Sequence, residues 1–236
     1  MIYDLLTHIG VRKGENYKIE SLLELDKKAG IDRTMICSQL ETIDNEYIYD
    51  CTKRYPTETL GFAVLNPWDI GAEENLEKYY REYGFYGLKM NAIRYGYSAD
   101  RTGLLGPFFD ICRSYKRIVV AHCQSDLFSI PDKWAYQARQ FPDVPFVLFH
   151  IGIPFMAERC CELAKELPNV YVSTCAAFVP VMKMAYEVCG PEKMIFSSDA
   201  PFGDPCQELE KIQYVIKNPE HLEMILYGNA KRIMNL

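Results

Sequence analysis

The sequence predicts an α/β protein folded as one (β/α)8 barrel of the TIM-barrel class, spanning residues 1–236 as a single domain. Three observations carry that reading. Eight short β-branched or aromatic runs alternate with longer stretches of helical character, the pattern that builds parallel sheets. Runs such as IVVAH and FVLFH are apolar nearly throughout, as strands buried on both faces must be. The first strand ends in His8-Ile9-Gly10 with neither GxGxxG nor GxxxxGK[ST] after it, which argues against an open nucleotide-binding sheet.

In chain order, strands are expected at Met1–His8, Thr34–Ser38, Leu60–Asn66, Gly87–Asn91, Ile118–His122, Phe146–His150, Val170–Thr174 and Met194–Asp199. Helices are expected near Ile19–Ala29, Asn45–Arg54, Glu73–Tyr83, Leu105–Ser114, Lys133–Phe141, Phe155–Leu167, Val179–Val188 and Cys206–Ile216, with a last helical piece through Glu220–Met234. Gly30 stands where a left-handed helix cap favours glycine. Pro168 and Pro191 interrupt helices ahead of strands, because proline lacks the helical N–H.

Composition narrows the function classes. The chain has 236 residues, 49% hydrophobic and 25% charged, the balance of a soluble globular protein; barrels of this kind run near ~250 residues, so insertions must be few. A net charge of −6 speaks against nucleic acid or an anionic membrane as partner. No apolar run approaches a membrane span, and MIYDLLTHIG does not read as a signal peptide. Nine cysteines, odd in number and without a CxxC pair, are read as reduced thiols in a cytoplasmic protein, most of them small buried residues rather than zinc ligands.

Chemistry concentrates at strand ends. Of the four histidines, His8, His122 and His150 sit at or beside the C-terminal end of a predicted strand, and Asp199 ends the last one. In a barrel that end is the working face, so these residues converge. One such histidine alone is more often a satisfied polar residue; three with a carboxylate form a set. Imidazole and carboxylate suit a divalent ion such as zinc, and a catalytic site needs three protein ligands plus water. His221 falls in the C-terminal helical segment and is read as a surface or capping residue. Lys89 and Arg94 after the fourth strand could hold an anion, although either could be an ordinary loop cation. Asn66 could contact substrate or merely turn the chain, Asp204 could cap a helix, and Ser197 and Ser198 could bond locally.

The ordered segments IYDLLTHIG, GLKM, VVAHC, FVLFHIG, MIFSSDAPFGD and ILYGNAKRIMNL resemble the amidohydrolase superfamily, in its amidohydrolase-related branch of metal-dependent hydrolases and non-oxidative decarboxylases. The resemblance covers nearly the whole chain and implies a (β/α)8 barrel. It matches His122, His150 and Asp199 to the histidines and aspartate after the fifth, sixth and eighth strands. The family's first-strand motif carries two histidines; here Asp4 is followed by Leu6 in the first position and His8 in the second. Residues two apart on a strand face the same way, so Leu6 is expected to fill the barrel interior beneath the site. The resemblance therefore implies one divalent metal on His8, His122 and Asp199, zinc first and manganese second, with a metal-free site left open. Asp199 and His150 would be catalytic, and Lys89, Arg94 and Asn66 would bind substrate. The first reading is hydrolysis of an amide, ester or lactone in a small carboxylated or hydroxylated metabolite. Decarboxylation is the alternative, and a barrel that only binds small molecules is a third. A homodimer is the expected assembly.

Overall fold

A computed structural model describes residues 1–236. The elements in chain order are β1 (Tyr3–Arg12), β2 (Glu15–Tyr17), α1 (Ile19–Ala29), β3 (Arg33–Ser38), α2 (Asn45–Arg54), β4 (Thr59–Val64), α3 (Ala72–Arg81), β5 (Gly87–Met90) and α4 (Ala92–Tyr95). They continue with α5 (Thr102–Ser114), β6 (Ile118–His122), α6 (Pro131–Gln140), β7 (Phe146–Phe149), α7 (Ala157–Glu166), β8 (Val170–Ser173) and α8 (Val179–Val188). The chain ends with β9 (Met194–Ile195), α9 (Pro205–Val215), α10 (Pro219–Glu223) and α11 (Asn229–Met234). No helix is long and apolar enough to cross a membrane.

Eight strands pair in parallel in the order β1, β3, β4, β5, β6, β7, β8, β9, and β2 pairs antiparallel on the outside of β1. The circle closes where the Leu5 N–H donates to the Phe196 carbonyl at 3.1 Å and the His8 N–H to the Ala200 carbonyl at 2.7 Å. The fold is the (β/α)8 barrel that the alternation predicted. Period-2 alternation sorts the side chains into two apolar layers. Met35, Phe62, Val64, Val120, Val147 and Phe149 fill the barrel, while Ile36, Ala63, Val119 and Leu148 from the same strands meet the helices. Ala230, Ile233 and Met234 of α11 join the inner layer, packing with Tyr3 and Tyr171 near the strand starts, and so close the N-terminal end. Eight of the nine cysteines are buried and all nine are free.

Three departures from the expected elements have local causes. β1 runs four residues beyond His8, turns at Lys13-Gly14 and returns as β2. β9 keeps only two residues in its ladder with β8, because the following residues leave it to bond with β1. The last helical stretch is broken by a wider π turn over Met224–Gly228, and the one-turn α4 was not foreseen. Gly30 does take the left-handed cap, φ 74°.

The register of β1 against β3 slips by one residue between Asp4 and Thr7. Such a bulge puts two consecutive side chains on one face. Leu5 and Leu6 accordingly both lie in the inner layer, fully buried, so Leu6 stands beneath His8 as expected and Leu5 joins it. Asp4 takes the opposite face. Its carboxylate accepts from the Ser198 N–H at 2.9 Å and from the Ser198 hydroxyl, tying β1 to the end of the chain's last strand segment.

Two predictions follow from these buried carboxyls. Replacing Asp4 by Ala leaves the Ser198 N–H and hydroxyl unpaired, which should cost about 2–4 kcal/mol in urea unfolding. A loss under about 1 kcal/mol would show that the closure does not depend on this latch. Asp26 of α1 is buried with both oxygens unpartnered, and burial, with Asp4 adding repulsion, pushes its carboxyl up to about 8. The folded state therefore keeps a proton that the unfolded chain has lost above its ordinary range near pH 4. Asp26 should therefore lower stability as pH rises from about 4 to about 8, by up to about 1.4 kcal/mol per pH unit, and no further above that. Asp26→Asn should remove that contribution, so that its stability falls less steeply than the parent's over this window, and it should unfold at higher urea at pH 8. An unchanged slope would refute the assignment.

Candidate active site

His8, Lys89 and His122 project from β1, β5 and β6 at the C-terminal end of the barrel, where strand ends carry function. Alternation accounts for their inward direction. It does not account for His150, because Phe149 already occupies the inward position at the end of β7. His150 and Ile151 both adopt left-handed backbone, φ 72° and 51°, and that turn swings the imidazole into the barrel mouth. There it meets His122 edge to face, ring centroids 4.9 Å apart. Asp199 is left-handed too, φ 61°. Left-handed conformations at non-glycine residues cost about 1–3 kcal/mol each and gather at functional sites.

The loop after Asp199 needs a specific glycine. Phe202 and Gly203 both donate their N–H to the Asp199 carbonyl, at 2.9 and 3.2 Å, and a Cβ on Gly203 would stand 2.1 Å from the Ser198 carbonyl oxygen. Any larger residue would push the backbone that carries Asp199. Asp204 caps α9, accepting from the N–H groups of Cys206 and Gln207.

Asp199 is the centre of the set. Its Oδ1 lies 3.5 Å from His8 Nε2 and its Oδ2 4.0 Å from His150 Nε2. His8 Nδ1 is 3.2 Å from the Ser38 carbonyl, which can only accept, so the ring donates there and carries a lone pair on Nε2. A lone pair and a carboxylate oxygen thus face each other with no hydrogen of the ring between them. The pair asks for a proton on Asp199 or a cation between the two, and in that respect the donor chemistry fits a divalent ion. No three His, Cys, Asp or Glu side chains form a ready cage, so His122 would have to complete the ligand set by moving toward the pair.

Electrostatics follow from burial. His8 and His122 are held neutral, pushed down to about 3 by desolvation and then by the nearby Lys89 ammonium, and His150 is lowered by the same two causes. Burial lowers Lys89 and raises Asp199, and their mutual attraction offsets part of both shifts. Lys89 has no hydrogen-bond partner for Nζ, which lies 3.9 Å from the centre of the Phe149 ring. An unpaired buried ammonium opposes folding, so the fold alone gives no reason for it.

Other residues fall outside this layer. Arg94 is at the rim, its guanidinium 3.5 Å from Glu41. Asn66 spends its side chain on its own loop, donating to Asp69 at 2.8 Å and accepting from the Trp68 N–H, and does not join the site. His221 is partly buried against the Tyr186 hydroxyl rather than a free surface group. Sequence reasoning missed Arg12, Phe202, Cys37 and Cys175. Arg12 sits on the unforeseen extension of β1, bonds Glu41 at 3.2 Å and stacks 4.4 Å over Phe202, whose ring centre is 5.7 Å from that of His8. A cleft of about 420 Å³ lined by Arg113, Lys116 and Arg232 opens near the strand starts, at the opposite end, and contains none of these groups.

Comparison with known proteins places the chain. Residues 20–236 match the family model described as amidohydrolase, and the chain belongs to that family. No curated protein matches. Solved structures share the fold at low identity. A 5-carboxyvanillate decarboxylase from Sphingomonas paucimobilis is 14% identical, with a TM-score of 0.80 over 100% of this chain and 99% of its own. A dihydroxybenzoic acid decarboxylase from Polaromonas, solved with manganese and the inhibitor 2-nitroresorcinol, is 16% identical, with a TM-score of 0.78 over 100% and 97%. A 4-oxalomesaconate hydratase from Rhodopseudomonas palustris is 19% identical, with a TM-score of 0.74 over 100% and 96%.

The unpaired ammonium yields a stability test. Lys89→Met keeps the volume and removes the buried charge, and Asp199 can then take up a proton. The variant should be as stable as the parent or gain about 1–2 kcal/mol in urea unfolding. A loss above about 2 kcal/mol would make Lys89 a structural residue.

Proposed function

We propose that the protein is a non-oxidative decarboxylase of a small aromatic or enolic acid. The observation that carries this reading is the division of Asp199 between two imidazoles, Oδ1 toward His8 and Oδ2 toward His150, beside the buried Lys89. Two of the three structural relatives above are decarboxylases of aromatic acids, which supports it further.

His8 and Asp199, completed by His122, would hold one divalent ion. Nitrogen and oxygen donors admit zinc or manganese, and manganese is present in one relative. When bound, the ion supplies Lewis acidity that draws electron density onto a substrate oxygen. The chain's own groups do the rest. Asp199 delivers a proton from Oδ2 to the carbon bearing the carboxylate, the carbon–carbon bond to that carboxylate breaks, and carbon dioxide leaves as the substrate carbon keeps the proton. The consumed proton returns to Asp199 from solvent. His150 orients the substrate oxygen nearest Oδ2, and the Lys89 ammonium steadies negative charge as it develops. Arg12 and Arg94, tethered to Glu41 at the mouth, draw in the anion, while Phe202 forms one apolar wall. Asn66 takes no part.

Hydrolysis or hydration is the second reading, favoured by the hydratase among the relatives. It uses the same residues, with Asp199 accepting a proton from water instead of giving one to carbon. A panel of hydroxybenzoic and enolic acids should release labelled carbon dioxide, and Asp199→Asn should lower kcat by about 10³-fold or more. Chelation should abolish turnover, and zinc or manganese should restore it. Incorporation of ¹⁸O from water into product without carbon dioxide would replace this reading by the second. Binding without turnover of any candidate would leave a binding protein.

A further inference from the structure

His8 and His150 present the same ring nitrogen, Nε2, to the same carboxylate, yet their opposite nitrogens have different partners. His8 Nδ1 faces a carbonyl, with the Cys37 sulfur also at 3.1 Å. His150 Nδ1 has a single partner, the Cys175 sulfur at 3.3 Å. Behind that sulfur is a short polar chain. The Ser173 hydroxyl donates to Cys175 Sγ at 3.3 Å, and Ser173 Oγ lies 2.6 Å from Ser197 Oγ. Ser173, Cys175 and Ser197 are fully buried, and burial pushes the thiol up, so it keeps its proton.

Counting donors settles the directions. The Ser197 hydroxyl gives its proton to Ser173 Oγ, which leaves the Ser173 proton for the sulfur. The sulfur, which also lies within reach of the Ser197 hydroxyl and of the His150 backbone N–H, still has its own proton to give, and His150 Nδ1 is the nitrogen acceptor beside it. A neutral imidazole that accepts at Nδ1 carries its hydrogen on Nε2. We infer that Cys175 is a positioning residue whose thiol, aimed by the Ser197–Ser173 pair, holds His150 as the Nε2–H tautomer. The lone pair on His8 Nε2 then faces one oxygen of Asp199, and the His150 Nε2–H faces the other across 4.0 Å, longer than a direct hydrogen bond. His150 thereby offers the reaction centre a hydrogen on Nε2 and not a metal-binding lone pair. Its catalytic consequence rests on the function proposed above, whereas the tautomer itself does not.

Long-range ¹H–¹⁵N correlation spectra of ¹⁵N-histidine-labelled protein, prepared with zinc, read the tautomer of each of the four rings directly. His150→Gln assigns the signal by its disappearance. Wild-type His150 should show its proton on Nε2. Cys175→Ala should shift the ring toward the Nδ1–H form and lower kcat about 10-fold with KM little changed, and Cys175→Ser, which restores a donor, should recover both. A wild-type His150 protonated on Nδ1, or a Cys175→Ala spectrum identical to the parent, overturns the inference. If the alanine variant does not fold, Cys175→Val, which fills the site without a donor, is compared with Cys175→Ser in its place. An Nε2–H signal in a protein that releases no carbon dioxide would refute the proposed function and leave the tautomer assignment standing.

Discussion

The site depends on one seam. β1 and the segment after β9 are separated by nearly the whole chain, and no regular ladder joins them. Two backbone hydrogen bonds and the Asp4–Ser198 latch hold them together instead. His8 lies on one side of this seam and Asp199 on the other, so their 3.5 Å contact crosses the one join of the barrel that has no regular ladder. A full ladder would force Asp199 into extended backbone. Leaving the ladder after Ile195 frees Asp199 to take its left-handed conformation, and the latch on Ser198 holds the neighbouring residue while it does so.

The same trade between regularity and function recurs around the mouth. At β7 the inward place goes to Phe149, whose ring supports the Lys89 ammonium, and His150 reaches the site only through a strained turn. On β1 the bulge places Leu5 and Leu6 together under His8, and apolar packing there leaves no ligand below the surface layer. Lys89 remains charged without a hydrogen bond, an arrangement the apolar core would not select for stability. Each departure is local and sits against a regular strand that limits its extent.

Much of the fold was legible in the sequence because the barrel is built from repeated local rules. Alternating strand and helix runs identify the units, and apolar strands identify the parallel sheet. Strand-end placement of His8, Lys89 and His122 then follows from period 2. The β1–β2 hairpin escaped notice because a polar two-residue turn after an already complete strand resembles an ordinary loop, and Arg12 and its Phe202 contact were missed with it. Asn66 shows the converse: a polar residue after a strand faces the mouth or bonds its own loop, and only the position of Asp69 decides which.

By itself the sequence determined the class of fold, the inward place of Leu6 beneath His8 and the candidate polar residues at the strand ends, since these depend on composition and spacing along the chain. Tertiary structure alone decided how the candidate groups face one another: which oxygen of Asp199 each imidazole faces, that His150 turns inward against the strand period, and that Cys175 stands behind it. Those outcomes depend on backbone torsions and on contacts between residues far apart in the chain, and neither is encoded in any local pattern.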